Sequence, residues 1–226
     1  MAELKLVVFD VDGTLIDSLA HIKGAMKTAF DACGHIVPDE AAVRSIIGLS
    51  LPVAMRKLDP ELSDAEVMQV VEAYKDSFNK SETSETRIDP PMFSGARDAL
   101  QRLNARDDLL LGVATGKSRR GLVRMLGVHA LEGMFVTTQV ADDHPSKPHP
   151  SMLEQALYET GVKARNAVIV GDTSFDMEMG RHAGFGTVGV RWGYHAEDVL
   201  APFTDIMIDD FAALDNALEA LLEQGR

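Results

Sequence analysis

This chain of 226 residues lacks long apolar runs, paired cysteines and an excess of basic side chains. Cys33 is the only cysteine, so no disulfide forms within the chain, which fits a reducing compartment. No apolar run reaches the ~20 residues that a membrane-spanning helix needs. The net charge is -13, and this acidic balance disfavours nucleic acid and anionic membranes as partners. We therefore expect a cytoplasmic globular protein that binds neither of them.

The hydrophobic pattern changes twice along the chain. Residues 4–10 are a nearly continuous apolar run, which is typical of a parallel strand buried on both faces. Residues 18–89 carry apolar side chains at helical spacing and no convincing strand, and the polar stretch 81–86 predicts a linker. From residue 91 onward strand-like and helix-like segments alternate. Such alternation predicts a doubly wound parallel sheet of the α/β class.

The predicted elements fix a domain division. After residue 91 we predict strands at 109–114, 134–138, 167–171, 187–190 and 206–208, and helices at 95–105, 118–126, 150–160, 175–183 and 211–223. In the helical block we predict helices from 19 to 33, from 38 to 48 and, after a capping-box pattern at Ser63 and Glu66, from 63 to 79. The block interrupts the sheet after its first strand. We therefore expect a Rossmann-like core of residues 1–15 and 90–226, with an inserted helical cap domain of residues 16–89.

Polar side chains follow four of the predicted strands. They are Asp10 and Asp12, then Thr115 and Gly116, then Lys147, and finally Asp172 and Asp176. Because ligands bind beyond the carboxyl ends of parallel strands, we expect these residues to meet in one site. At ~4 Å and an effective dielectric near 20, each like-charge pair of carboxylates costs about 4 kcal/mol. A hard cation such as Mg²⁺ removes that cost, and it prefers carboxylate, carbonyl and phosphate oxygens.

The same residues, in this order, resemble the motifs of the haloacid dehalogenase superfamily. The motifs are Asp10-Val-Asp12-Gly-Thr14, Thr115, Lys147-Pro148 and Gly171-Asp172 with Asp176. Longer strings, Asp10–Ser18, Ile47–Ser50, Pro91–Gly95 and Val190–Tyr194, resemble its phosphoglycolate phosphatase-like branch. The resemblance covers nearly the whole chain. It implies a Mg²⁺-dependent phosphatase that hydrolyses a small phosphorylated metabolite of the phosphoglycolate type. A monomer is the default expectation for the oligomeric state.

The resemblance also implies a role for each acid. Asp10 would attack phosphorus and form an aspartyl-phosphate. Asp12 would protonate the leaving oxygen and then activate water. The Asp10 and Asp172 carboxylates and the Asp12 backbone carbonyl would hold Mg²⁺. Asp176 would not bind the ion directly but would orient Lys147 or metal-bound water.

The remaining implied residues bind the phosphoryl group. Thr115, the backbone N–H of Gly116 and the amine of Lys147 would hold its oxygens. Gly13 and Thr14 would begin the turn into the cap, and the cap would close over the site and exclude water.

Four other functions stay open. A sugar-phosphate mutase similar to β-phosphoglucomutase shares all the motifs but needs cations in the cap for a second phosphate. The candidates are Lys23, Lys27, Arg44, Arg56 and Lys57. An inorganic pyrophosphatase also fits the motifs. A haloacid dehalogenase would use Asp10 but has no need of Asp12 or Asp172, and a non-catalytic regulatory module has no need of any of them.

Overall fold

Six parallel strands form one sheet in the described part of the computed structural model, which comprises residues 3–82 and 89–223. The strands are β1 (Lys5–Phe9), β2 (Leu109–Thr115), β3 (Thr137–Val140), β4 (Ala167–Gly171), β5 (Gly186–Val190) and β6 (Ile206–Ile208). Their order across the sheet is β3-β2-β1-β4-β5-β6, and every neighbouring pair is parallel. The first strand therefore lies in the centre, between β2 and β4. The predicted doubly wound α/β sheet is confirmed.

Ten α-helices accompany the sheet in the described residues. They are α1 (Leu19–Cys33), α2 (Glu40–Arg44), α3 (Leu51–Leu58), α4 (Asp64–Glu82), α5 (Ala96–Asn104), α6 (Arg119–Val128), α7 (Ser151–Thr160), α8 (Ser174–Ala183), α9 (Glu197–Leu200) and α10 (Leu214–Glu223). Helices α1 to α4 all lie between β1 and β2 in the chain. Neither α3 nor α9 was predicted, because short helices leave little periodicity to detect.

Several element boundaries differ from the prediction. β3 begins at Thr137 instead of 134, because the chain turns at Gly133, whose φ is +76°. The last helix begins at Leu214 instead of 211, because the carboxylate of Asp210 accepts hydrogen bonds from the N–H groups of Ala212 and Ala213 and holds a turn there.

Helix boundaries within the helical block also differ from the prediction. The second helix, α2, ends at Arg44 instead of 48, and α4 continues to Glu82 instead of 79. The predicted linker at 81–86 is helical at its first two residues, and its remainder lies outside the described residues. The predicted capping box is confirmed, since the Ser63 N–H donates to Glu66 Oε2 (2.8 Å) and the Glu66 N–H donates to Ser63 Oγ (3.4 Å).

Side chains of the helical block form a hydrophobic cluster, which Tyr194 joins from the segment after β5. Ile22, Met26 and Phe30 of α1 are buried in one cluster with Val67, Val70 and Val71 of α4. Two other clusters contain the side chains of the sheet and of the helices packed on it. The division into a core domain and a cap domain stays a prediction. No helix among the described residues is long and apolar enough to cross a membrane.

Candidate active site

The carboxyl end of β1 places Asp10 in the middle of the molecule. The run Leu6 to Phe9 is fully buried between β2 and β4, and the Asp10 N–H donates to the carbonyl of Val170 on β4 (3.0 Å). The Asp10 side chain is 1% exposed. Burial raises its pKa to about 7, against the attraction of Lys147. Its Oδ2 atom has no hydrogen-bond donor among the described residues, so one oxygen of a buried carboxylate is left for a ligand.

Lys147 reaches this carboxylate from the loop after β3. Its Nζ atom lies 2.9 Å from Asp10 Oδ1 and 2.6 Å from Asp176 Oδ1, with both partners buried. Burial alone would lower the pKa of Lys147, but the two carboxylates outweigh burial and raise it. The amine is therefore a fixed positive charge. Among the described lysines and arginines, it is also the only buried one.

Asp172 completes the cluster from the end of β4. Its Oδ1 accepts a hydrogen bond from Thr14 Oγ1 (2.8 Å), and its Oδ2 accepts one from the N–H of Tyr194 (2.9 Å). Burial, followed by the charges of Asp10 and Asp176, raises the pKa of Asp172 well above its usual value. One oxygen from each of Asp10, Asp172 and Asp176 lies within 4.8 Å of the others. Three carboxylates against one lysine favour a further cation here.

Asp176 differs from the other two acids because both its oxygens have partners. Oδ1 accepts from Lys147, and Oδ2 accepts from the N–H and the hydroxyl of Thr173 (3.1 and 2.6 Å). Thr173 caps α8 in return, so Asp176 belongs to a capping box as well as to the cluster. This arrangement suits a residue that orients Lys147, as the sequence predicts.

Two glycines leave the space that Asp172 fills. A methyl group on Gly193 would lie 2.1 Å from the Asp172 Cβ, and one on Gly13 would lie 2.1 Å from Asp172 Oδ2. Gly13 also has a φ of +89°, which disfavours any side chain. The turn after β1 and the turn after β5 therefore need glycine to pack against this acid.

We expect Gly193→Ala to displace Asp172 and to destabilise the fold by about 1–3 kcal/mol, as overpacking does. The matched control is Gly24→Ala, because no atom lies within 4 Å of that added methyl group. Alanine in the interior of α1 should stabilise the protein by about 0.5–1 kcal/mol. Thermal unfolding of both variants checks the prediction, and equal melting temperatures would contradict it.

Asp12 lies apart from the three clustered acids, on the wall of a cavity. Its Oδ1 accepts a hydrogen bond from Ser18 Oγ and forms an ion pair with Lys117 Nζ (2.8 Å). The hydroxyl of Tyr194 accepts a hydrogen bond from the Ser18 N–H (2.8 Å). Asp12 is thus held at the point where the chain enters α1. A carboxylate on the cavity wall is placed to exchange a proton with a bound ligand.

Thr115, the last residue of β2, and Gly116 lie on the same cavity. Thr115 is fully buried, and its Oγ1 accepts from the N–H of Lys117 (3.3 Å). A methyl group on Gly116 would lie 2.7 Å from the carbonyl oxygen of Gly48, so the helical block touches the sheet edge at this glycine. The cavity measures about 320 Å³, and its lining includes Asp10 and Asp12.

The structure thus brings the predicted residues into two adjoining groups. One group consists of Asp10, Lys147, Asp172 and Asp176, and the other consists of Asp12, Thr115 and Gly116 beside the Asp10 carboxylate on the cavity. The roles assigned to them stay predictions. Sequence reasoning missed the contacts of Lys117, Ser18 and Tyr194 with Asp12 and its neighbours. Ser18 and Tyr194 lie within strings that carry the family resemblance, and Lys117 lies two positions after Thr115; these positions are the signal that the sequence offers.

Buried acids and a buried lysine at the carboxyl edge of a parallel α/β sheet are typical of an active site. A family model described as haloacid dehalogenase-like hydrolase matches residues 7–190. The chain is 33% identical over 223 residues to "Probable phosphatase IndB" of Dickeya dadantii, covering 96% of this chain and 95% of that protein. It is 27% identical over 221 residues to a phosphoglycolate phosphatase of Vibrio vulnificus, covering 94% and 95%.

A solved structure shares the fold. The solved structure of a hydrolase from Pseudomonas syringae superposes with a TM-score of 0.83 at 22% identity, covering 96% of this chain and 99% of the other. The chain belongs to the haloacid dehalogenase-like hydrolases. The predicted resemblance and the prediction of an enzyme are both confirmed.

Proposed function

We propose that this chain is a Mg²⁺-dependent hydrolase of phosphate monoesters, with a small phosphorylated metabolite as substrate. The observation that carries the proposal is the Asp10 carboxylate, whose Oδ2 has no hydrogen-bond donor among the residues described. Its Oδ1 faces Lys147, and the side chain lies on the cavity beside Asp12. The phosphatase names of the two curated relatives support the same activity.

In the proposed mechanism, Asp10 Oδ2 attacks phosphorus, and the bond from phosphorus to the ester oxygen breaks. Asp12, protonated at this step, gives its proton to the departing alcohol. Water then attacks the aspartyl-phosphate and loses a proton to Asp12, which releases phosphate and restores the Asp10 carboxylate. The separate positions of the two acids support this division, since Asp10 lies in the charged cluster and Asp12 on the cavity wall.

The phosphoryl group is bound in this proposal by Lys147, Thr115 and the N–H of Gly116. Lys147 contributes a positive charge that its two carboxylate partners keep protonated. Asp176 is a positioning residue, because it holds the Lys147 amine at 2.6 Å while Thr173 fixes its other oxygen. The hydroxyl of Thr115 and the N–H of Gly116 would donate hydrogen bonds that stabilise the charge that develops on the phosphoryl oxygens.

The donor set fits Mg²⁺. The carboxylates of Asp10 and Asp172 and the backbone carbonyl of Asp12 would hold the ion, and hard oxygen ligands are those it prefers. When bound, it would neutralise phosphoryl oxygens and the buried acids together. Asp10 Oδ1 contacts the Lys147 amine, and each oxygen of Asp172 accepts one hydrogen bond, which leaves acceptor capacity for the ion on both side chains in addition to the Oδ2 nucleophile.

We also propose that residues 16–89 act as a cap over this site in a cytoplasmic, monomeric enzyme with neither nucleic acid nor membrane as partner. The hydrophobic cluster of α1–α4 and the cavity between that block and Asp12 support a cap. A mobile cap would admit substrate and then exclude water from the intermediate.

The other candidate functions gain less support. The five cations considered for a second phosphate, Lys23, Lys27, Arg44, Arg56 and Lys57, do not line the cavity. Four of them pair with acids of the same block, Lys23 and Arg44 with Glu40, Lys27 with Asp31 and Arg56 with Asp64. A mutase or a pyrophosphatase would need a cation available to the substrate, and two of the cations that do line the cavity are paired, Lys117 with Asp12 and Lys75 with Glu72. A dehalogenase has no use for the Asp12–Lys117 pair, and a regulatory module has no use for a reactive carboxylate.

The test is acid quenching of the protein during turnover of p-nitrophenyl phosphate with Mg²⁺. We expect one phosphoryl group on the peptide that contains Asp10, found by mass spectrometry. Omission of Mg²⁺ should abolish both the adduct and the release of phosphate. Turnover without any adduct on Asp10 would contradict the proposed intermediate, and release of an isomeric sugar phosphate in place of free phosphate would indicate a mutase.

Mg²⁺ should also stabilise the fold, because it binds buried acids that repel one another. At 100 times its dissociation constant, a ligand adds about 2.7 kcal/mol, or roughly 5–10 °C in melting temperature for a chain of this length. Thermal unfolding with Mg²⁺ and with EDTA measures the shift, and Asp172→Asn should reduce it. A surface control, Asp98→Asn, should keep the full shift.

A further inference from the structure

We propose that the alcohol part of the substrate is bulky, uncharged and largely apolar, and carries a hydrogen-bond acceptor that Tyr74 recognises. The inference rests on the proposed phosphatase function and narrows its substrate class. It departs from the expectation of a phosphoglycolate-type ester, whose alcohol part is a short carboxylate.

Much of the cavity lining besides the catalytic acids is apolar. It is formed by side chains of the helical block, among them Ile22, Met26, Ile47, Leu49 and Tyr74. All five are at most 9% exposed, so they present a preformed surface instead of loose side chains. A volume of about 320 Å³ is at the lower end of the ~300–1,000 Å³ typical of sites for drug-sized ligands. A short acid phosphate would leave most of this surface uncovered.

Tyr74 places one polar atom in this apolar wall. Its side chain is buried, and its hydroxyl makes no hydrogen bond with any residue in the described ranges. Burial raises its pKa, with the charge of Asp12 adding to the effect, so the hydroxyl stays protonated and can donate. The Tyr74 ring stacks at 5.7 Å on Phe78, which also lines the cavity. A hydroxyl donor on the cavity lining, beside aromatic surface, is suited to an acceptor on a ring-bearing ligand.

The cations that line the cavity, Lys117, Lys75 and Arg120, already have partners. Lys117 pairs with Asp12 (2.8 Å), Lys75 pairs with Glu72 (2.7 Å), and Arg120 is exposed and has a partner of its own. A carboxylate on the alcohol part of the substrate would therefore have to compete with Asp12 for Lys117. Otherwise it would lose its hydration against apolar side chains. Both alternatives disfavour a charged alcohol part and favour a neutral one.

The test compares phosphoglycolate with benzyl phosphate and 4-methoxybenzyl phosphate. All three are esters of primary alcohols, which limits differences in leaving-group chemistry. We expect kcat/KM of the wild type to be at least about tenfold higher for the benzyl esters, the gain of burying a ring. Titration calorimetry with Asp10→Asn and Mg²⁺ gives the dissociation constants without turnover and should show the same order.

Tyr74→Phe isolates the hydroxyl while it keeps the ring. We expect it to weaken binding of 4-methoxybenzyl phosphate by about 3–10-fold, the worth of one hydrogen bond, and to leave benzyl phosphate within about twofold. The control is Tyr158→Phe, because Tyr158 is 84% exposed on α7. Phosphoglycolate bound and hydrolysed in preference to both benzyl esters would overturn the substrate class alone. Hydrolysis of no ester, with no binding, would instead overturn the phosphatase function itself.

Discussion

Asp10→Asn should lower kcat for p-nitrophenyl phosphate by at least about 1,000-fold with Mg²⁺ present, because the amide cannot serve as nucleophile. The substitution keeps the size and shape of the side chain. The loss should fall on kcat more than on KM, since Lys147, Thr115 and Gly116 still hold the phosphoryl group. Steady-state kinetics with equal amounts of folded protein measure it.

We expect this variant to fold. The pKa of Asp10 determines whether the substitution raises or lowers the stability. Burial raises that pKa to about 7, above the usual value of 3.8, so folding opposes ionisation of this group. Stability gained from the protonated form is full below pH 3.8 and is lost as the pH rises through 7. At pH 8 without Mg²⁺, a neutral asparagine removes the free-energy cost of burying the ionised Asp10 carboxylate. We therefore expect the melting temperature of Asp10→Asn to equal or exceed that of the wild type.

The combination of lost activity and retained stability separates a nucleophile from a structural acid. Asp98→Asn, an exposed acid of α5, serves as the control and should change neither quantity. Activity of Asp10→Asn within tenfold of the wild type would overturn the nucleophile assignment. A large fall in melting temperature would show instead that the Asp10–Lys147 ion pair stabilises the fold.

The strand ends could be predicted because local pattern and topology agree there. The apolar run before Asp10 and the run before Asp172 each form a buried strand, and β1 and β4 are neighbours. Two acids that are 162 positions apart in sequence then share one cluster. Parallel pairing alone dictates this result, and side-chain detail is not needed.

The cavity could not be predicted, because it depends on how helices pack. Tyr74 and Met26 lie on different helices, α4 and α1, and each is apolar at helical spacing like any core residue. The pairing of Lys117 with Asp12 likewise depends on the reach of a flexible side chain across two loops. Helical periodicity shows which face is buried but not which buried residues border a cavity.

The second large effect is expected for Lys147→Met. The lysine is the buried cation between Asp10 and Asp176, at 2.9 and 2.6 Å, and methionine keeps most of its length without its charge. Removal of one partner from a buried ion pair costs about 3–5 kcal/mol, because the remaining carboxylates have lost their compensation. For a chain of this length that is roughly 6–20 °C in melting temperature. Turnover should fall as well, since the phosphoryl group loses its charged ligand.

Two further variants decide whether charge causes this loss. Lys163→Met removes an exposed lysine that pairs with Glu3 at 3.1 Å, and it should cost less than about 1 kcal/mol. In the double variant Lys147→Met with Asp176→Asn, one uncompensated acid is neutralised while the amide can still accept from Thr173. Thermal unfolding in EDTA should show recovery of part of the lost stability without recovery of turnover. If the double variant is less stable than Lys147→Met alone, the loss arises from packing, and the buried charge of Lys147 does not stabilise the site.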